Sequence, residues 1–160
     1  MAILPIIIGE KTPILREHAR CIEKVTKEIT KLIGDLEDTL AHAEGLGLAA
    51  PQIGTSLSLC LARIGERITP FINPKITWQS HETDEMEEGC LSLPGIQVTV
   101  TRPTNIIVQY SDSKGRQQER SLSGLDARVV QHEVDHLNGI LIVDYMLPHP
   151  KKNKIITKRM

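Results

Sequence analysis

Apolar side chains recur every three or four residues through Ile22, Val25, Ile29, Leu32, Leu36 and Leu40, with charged residues between them. That spacing predicts one long amphipathic helix near the N-terminus, with Cys21 in it, ending near Glu44, where Gly45 can terminate it. The period then shortens to two. Residues 57–61 and 96–100 alternate apolar and polar, and residues 104–110 are rich in β-branched side chains, so short strands are expected there. Ser113, Lys114 and Gly115 mark a hairpin turn into a further strand at residues 116–122. Residues 88–92, after the acidic run 82–88, have no regular apolar period and read as turn-like. Helical spacing returns from Asp126, with Leu125, Val129 and Leu137 able to face a core. Ser123 is placed to be its N-cap, and Asn138 with Gly139 supplies a left-handed stop. Short strands around a buried second helix give an α+β class, with mixed or antiparallel sheets surrounding that helix and the long helix N-terminal to it.

Composition narrows this without changing it. A chain of 160 residues can bury roughly two-thirds of its unfolded surface in one core, so a single domain over residues 1–160 is expected. Phe71, Trp78, Tyr110 and Tyr145 are its only aromatic residues, which leaves the core to Leu, Ile, Val and Ala. A net charge of −1 gives no general attraction to nucleic acid, and no specific DNA binding is expected. Three cysteines without a pairing pattern suit a reducing compartment, and no run is apolar enough for a membrane span, so the cytoplasm is the expected location. Residues 147–160 form a short basic tail carrying Lys151, Lys152, Lys154, Lys158 and Arg159, in which Pro148 and Pro150 oppose a continuous helix. It reads either as a weak RNA-facing tail or as a solvated end.

The second helix carries the candidate chemistry. His132 and His136 lie four residues apart, one above the other on a helix, so both imidazoles can reach a single cation. Glu133 lies just off that seam, badly placed as a ligand and well placed to take a proton from metal-activated water, as in the H-E-x-x-H pattern of metal-dependent hydrolases. A tetrahedral site needs a third ligand. Cys21 and Cys60 fall in regular apolar patterns and read as packed thiols, whereas Cys90 falls in the turn-like stretch and is either that ligand or another packed thiol. His18, His42, His81 and His149 lie in polar surroundings and read as solvated. The glycines at 45–54 taken alone mean a helix cap followed by a turn at Pro51, and the phosphate-loop pattern is absent. Asp135 either orients an imidazole or bridges to Arg102, or it simply meets solvent, and Gln131 is equally open.

Three segments taken together are more specific. GLGLAAPQIG at residues 45–54, EGCLSLPG at 88–95 and QHEVDHLNG at 131–139 closely resemble, in the same order, the three motifs of peptide deformylases. Leu15 with Arg16, Arg102 with Pro103, and Gly124 with Leu125 extend the resemblance over nearly the whole chain. It implies that Cys90, His132 and His136 hold one divalent metal, that Glu133 is the acid–base group, and that the side-chain amide of Gln52 and the backbone N–H of Leu91 stabilise the oxyanion. The implied reaction removes the formyl group from N-formylmethionyl nascent peptides and releases formate. An extended peptide would lie against Leu46 and Gly47, with Gly89 a further contact and Leu125 and Val129 offered for the methionine pocket. Gly47 would lack a side chain so that the peptide backbone can approach. Fe(II) is the implied ion, and Zn(II), Ni(II) or Co(II) would also suit the site. Ile142 stands where a Phe is common in the family, which alters packing more than chemistry, and the tail is shorter than the ribosome-docking helix of many bacterial relatives.

Other readings of the same residues are a metallopeptidase cutting internal peptide bonds, and a structural metal module. Structural zinc sites are generally closed by four protein ligands, and three are found here. A non-catalytic, ribosome-associated relative is the last alternative, against which intact Glu133 and Gln52 argue.

Overall fold

The computed structural model describes residues 2–146, so the tail at 147–160, with His149, lies outside the described residues. Helix α1 spans Lys27–Ala43, strand β1 Gly47–Ala49, β2 Leu59–Ile64, β3 Arg67–Gln79, β4 Thr83–Cys90, β5 Leu93–Pro103, β6 Asn105–Ser111, β7 Gln117–Ser123 and helix α2 Gly124–Leu137. Single 3₁₀ turns cover Pro13–Arg16, Ala50–Ile53 and Ile142–Met146. A five-stranded sheet runs in the order β1-β2-β3-β6-β7, and β4 with β5 makes a separate two-stranded ribbon. All these pairings are antiparallel. The α+β expectation, with a central helix bearing the histidines, describes this architecture.

Strand β2 explains where the core sits. Cys60 and Ala62 join Phe71, Val108 and Val129 in a cluster under α2, while Leu59 and Leu61 point the other way and pack with Leu36 and Leu40 of α1. The strand is thus buried on both faces, and α1 and α2 cover opposite sides of the sheet. A third cluster, including Leu15, Val98, Val100, Leu141 and Ile142, lies against the ribbon and carries Cys90.

Four local expectations are corrected. The first helix begins at Lys27, not near Cys21: Thr26 is its N-cap, with its side chain accepting from the Ile29 N–H, and Cys21 is exposed outside it. Ile22 keeps helical spacing yet lies outside the helix, where Asn73 clips its backbone twice, donating from Nδ2 to the Ile22 carbonyl at 2.7 Å and accepting the Ile22 N–H at 2.9 Å. At the other end Glu44, with φ 55°, takes the left-handed position expected of Gly45. The acidic run 82–88 belongs to β4, and Cys90 ends that strand instead of lying in a turn. Its period was hidden because the residue turned inward is Glu88, a charge at a position where a core strand usually carries an apolar side chain. Leu125 is 46% exposed and does not face the core. Ser123 occupies the N-cap position of α2 without a side-chain cap bond, and Gly139, at φ 72°, supplies the expected stop. A β-carbon at Gly139 would lie 2.5 Å from the Arg16 carbonyl oxygen, so the segment after Pro13–Arg16 can cross there only over glycine. Among the described residues no helix is long and apolar enough to cross a membrane.

Candidate active site

Helical geometry brings His132 and His136 together with ring centroids 5.0 Å apart, each side chain all but fully buried. The end of β4 delivers Cys90, whose Sγ lies 3.3 Å from His136 Nε2. One donor atom from each of Cys90, His132 and His136 lies within 4.8 Å of the others, a spacing that one ion can span. Beside them Glu133 is 0% exposed, with Oε1 4.0 Å from His132 Nε2. Neither Glu133 oxygen nor His132 Nε2 has a hydrogen-bond partner among the described residues. Unpaired buried polar groups each cost about 1–3 kcal/mol. A soft thiolate with two imidazole nitrogens is a donor set that a first-row divalent ion takes up, so these residues fit such an ion.

The charges are arranged accordingly. Burial alone would raise the Cys90 thiol, but the His136 charge beside it, the His136 hydrogen bond and the nearby His132 ring outweigh it and hold the thiol well below its ordinary value. The thiolate is the form a metal requires. Burial opposes protonation of His132, yet Cys90, Glu88 and Glu133 around the ring raise it well above the usual imidazole range in the metal-free chain. Burial pushes Glu133 up to about 7, against the opposing charges of His132 and His136. Cys60, also buried and near Glu133, is pushed well up and stays a neutral packed thiol.

The other face of His132 is held by a network of which the sequence suggested only the Asp135–Arg102 bridge. His132 Nδ1 meets Glu88 Oε1 at 2.9 Å. Arg102 grips the same carboxylate through Nε at 2.6 Å and Nη2 at 2.8 Å, and Arg128 adds Nη1 at 2.6 Å. Arg128 also donates to Asp84 Oδ1 at 2.7 Å, and Arg102 to Asp135 Oδ2 at 3.0 Å. The Tyr145 hydroxyl donates to Asp135 at 2.5 Å, so Asp135 bridges to Arg102 and is not left to solvent. Gln131 instead braces the chain, donating to the carbonyls of Pro103 and Ala127. Alternation along β4 was the signal that could have exposed Glu88: it stands two residues before Cys90 and so on the same face.

Gln52 reaches the site from the 3₁₀ turn after β1. Its Oε1 accepts the Ala49 N–H at 2.9 Å, which fixes the amide orientation. Its Nε2 donates to Ser92 Oγ at 3.0 Å and stands 3.8 Å from Cys90 Sγ. Leu91 is buried in the turn after Cys90, and a β-carbon at Gly45 would come within 3.0 Å of its Cδ1. At Gly47 a β-carbon would lie 2.6 Å from Glu133 Oε1, so the glycine makes room for the carboxylate itself. Gly47 lies on β1, whose only strand neighbour among the described residues is β2, leaving one edge for strand addition. Leu46 packs half-buried beside it, and its carbonyl accepts the Arg63 N–H at 2.8 Å. Gly89 faces Gln97 across the ribbon. Val129 is 1% exposed in the core under α2, while Leu125 is out at the surface, so these two do not share an environment. His18, His42 and His81 are exposed.

A family model described as polypeptide deformylase matches residues 4–152. The peptide deformylase of Agrobacterium fabrum is 42% identical over 163 residues, spanning 99% of this chain and 95% of that protein. The crystal structure of peptide deformylase from Thermotoga maritima superposes with a TM-score of 0.88 at 39% identity, covering 92% of this chain and 100% of that one. That of Ehrlichia chaffeensis peptide deformylase in complex with actinonin gives 0.89 at 34% identity, over 95% and 93%.

Proposed function

The chain belongs to the polypeptide deformylase family, and we propose that it removes the formyl group from N-formylmethionyl nascent peptides at the Cys90, His132, His136 and Glu133 cluster. The observation that carries this is a fully buried glutamate without a hydrogen-bond partner among the described residues, beside three convergent metal-binding side chains. In this reading Cys90, His132 and His136 hold one divalent ion. When bound, the ion supplies an activated water and polarises the formyl carbonyl. Glu133 accepts the proton of that water as the formyl carbon is attacked and returns it to the leaving amine nitrogen, so one carboxylate serves as base and then as acid. Gln52 Nε2 donates to Ser92 Oγ and, at 3.8 Å, to Cys90 Sγ; in this reading it is the long bond to sulfur that gives way to the oxygen that becomes negative, with the Leu91 N–H as its companion donor. Each such donor is typically worth about 3 kcal/mol of transition-state stabilisation.

The open edge of β1 supports an extended peptide laid along Leu46 and Gly47. Gly89 is a further proposed contact, and of the two side chains offered for the methionine pocket Leu125 is the one exposed to an incoming substrate, while Val129 is buried in the core under α2. We assign Fe(II) as the working ion, with Zn(II), Ni(II) and Co(II) as substitutes, a single catalytic domain with its basic tail, and the cytoplasm as the site of action. Ribosome contact through residues 147–160 is a weaker association, tested by deleting the residues after Pro150. The central test is formate release from formyl-Met-Ala-Ser, with acetyl-Met-Ala-Ser and an internal-bond peptide as controls. Turnover of the formylated peptide alone is expected; cleavage of internal bonds would point to a metallopeptidase instead. Purification without oxygen should preserve activity that is lost in air, and a zinc-only preparation equally active under both conditions would overturn the iron assignment.

A further inference from the structure

Residues 2–9 form no helix or strand, yet four of their backbone N–H groups are committed to specific acceptors. Ala2 donates to Asp35 Oδ1 at 2.7 Å and Leu4 to Thr39 Oγ1 at 2.9 Å. Asp35 and Thr39, 4% and 1% exposed, stand one turn apart on the buried side of α1, beside Leu36 and Leu40. Packing alone gives no reason for polar side chains there; holding a passing segment of backbone does.

Further along, the same segment reaches the candidate site. Ile7 donates to the Gln52 carbonyl at 2.7 Å, and two residues later Gly9 donates to the Ser92 carbonyl at 3.0 Å. Gln52 and Ser92 lie 40 residues apart in the chain, and their side chains already meet through Nε2 and Oγ. The N-terminal segment ties their backbones together as well, in the alternating pattern of a strand that pairs with two partners in succession. Gly9 makes the second tie possible: its φ is +105°, and a β-carbon there would lie 2.9 Å from Thr12 Oγ1. That hydroxyl is itself committed to the Ile8 carbonyl at 2.6 Å.

We propose that Ile7 and Gly9 are positioning residues for the oxyanion donors, their N–H groups fixing the spacing between the Gln52 carboxamide and the turn that carries the Leu91 N–H. The proposal rests on the deformylase reading. Oxyanion donors act only when held at hydrogen-bond distance from where charge develops, and a displacement near 1 Å can cost about 100-fold in rate. A partial loosening of one tie should therefore show in kcat before it shows anywhere else.

The test compares Ile7→Pro, which removes the N–H to Gln52, with Gly9→Ala, which drives the backbone away from positive φ. Formate release, metal content and thermal midpoint are measured on the full chain, with rates taken well below unfolding. Both variants are expected to lose about tenfold in kcat, with KM and metal content unchanged. Ile8→Ser, at a side chain 58% exposed between the two ties, should match the parent. An unchanged kcat in folded Gly9→Ala, or a loss shared equally by KM and metal content, overturns the proposal. If Ile7→Pro does not fold, Gly9→Ala carries the same decision. Gln52→Leu in the same series separates the two levels: if it leaves kcat intact the oxyanion assignment itself falls, and if it lowers kcat while Gly9→Ala does not, only the positioning role falls.

Discussion

Glu88 and Glu133 are the same side chain, both wholly buried, on opposite sides of one imidazole. Glu88 receives Arg102, Arg128 and His132, while Glu133 receives no hydrogen bond among the described residues. Burial alone would raise both. In Glu88 the hydrogen bonds and charges of Arg102 and His132 reverse this and hold the carboxyl well below the usual range, whereas Glu133 is pushed up to about 7. Burial therefore does not tell a structural carboxylate from a working one; the partners do. Glu88 is locked as an anion so that His132 Nδ1 is oriented and Nε2 stays available. Glu133 is kept near the middle of the proton scale, where a group can both take and return a proton at neutral pH.

Substituting Gln at each position should separate the two roles. Glu133→Gln removes the proposed acid and base together, so the loss of formate release should reach about 10⁴-fold, or roughly 5 kcal/mol, with metal content retained. A residual rate within tenfold of the parent would take Glu133 out of the chemistry. Glu88→Gln leaves two buried guanidinium groups short of their shared anion. Breaking such a pair destabilises by about 4 kcal/mol, and metal should dissociate about 10–100 times faster into a chelator. Denaturant unfolding and chelator competition read these two effects, and a variant as stable and metal-tight as the parent would mean that the network does not hold His132.

pH sharpens the contrast. Because the folded-state pKa of Glu133 lies above its ordinary value of 4.5, the metal-free protein binds that proton more tightly than the unfolded chain does. The resulting stabilisation is complete below pH 4.5 and is lost as pH rises through about 7, a change on the order of 3 kcal/mol. Glu88 runs the other way: its stabilisation is present above pH 4.5 and is lost as the solution becomes more acid. Urea unfolding of metal-free parent and Glu133→Gln at pH 5 and pH 8 isolates the first effect. The parent should gain relative to the variant at the lower pH, and a constant difference between them would show that Glu133 does not titrate in this range.

The legibility of these residues in the sequence followed from their chemistry. His132 and His136 stood out because helical period fixes which residues share a face, and Gln52, Leu91 and Cys90 because three motifs occur in one order. Glu88 did not, since a charged residue turned inward looks the same in sequence as one turned outward, and nothing in the sequence marked Arg128 on α2 as its buried partner. The start of α1 misled in the opposite direction: Ile22 and Val25 keep helical spacing, but both precede the helix, and Asn73 holds the Ile22 backbone by contacts from 51 residues away. Pattern predicts which residues are buried together. It does not predict which buried charges find each other.

The smallest expected effect tests whether an unpaired buried polar group at this site always signals work. Gln97 is 0% exposed, and both atoms of its carboxamide lack a partner among the described residues, as in Glu133. It differs in being neutral, in lying on β5, and in facing Gly89 across the ribbon instead of a cluster of metal-binding side chains. Gln97→Leu keeps similar volume and removes the unpaired amide, so a gain of about 1–2 kcal/mol in unfolding free energy is expected, equal with and without metal. Formate release from formyl-Met-Ala-Ser should not change. A stability gain accompanied by a loss of turnover would place the amide against the peptide beside Gly89 and make Gln97 a second group left unpaired for an incoming partner. A gain without that loss would confine functional unpairing to the α2 cluster of His132, Glu133 and His136, where the approaching partner is a cation or a proton.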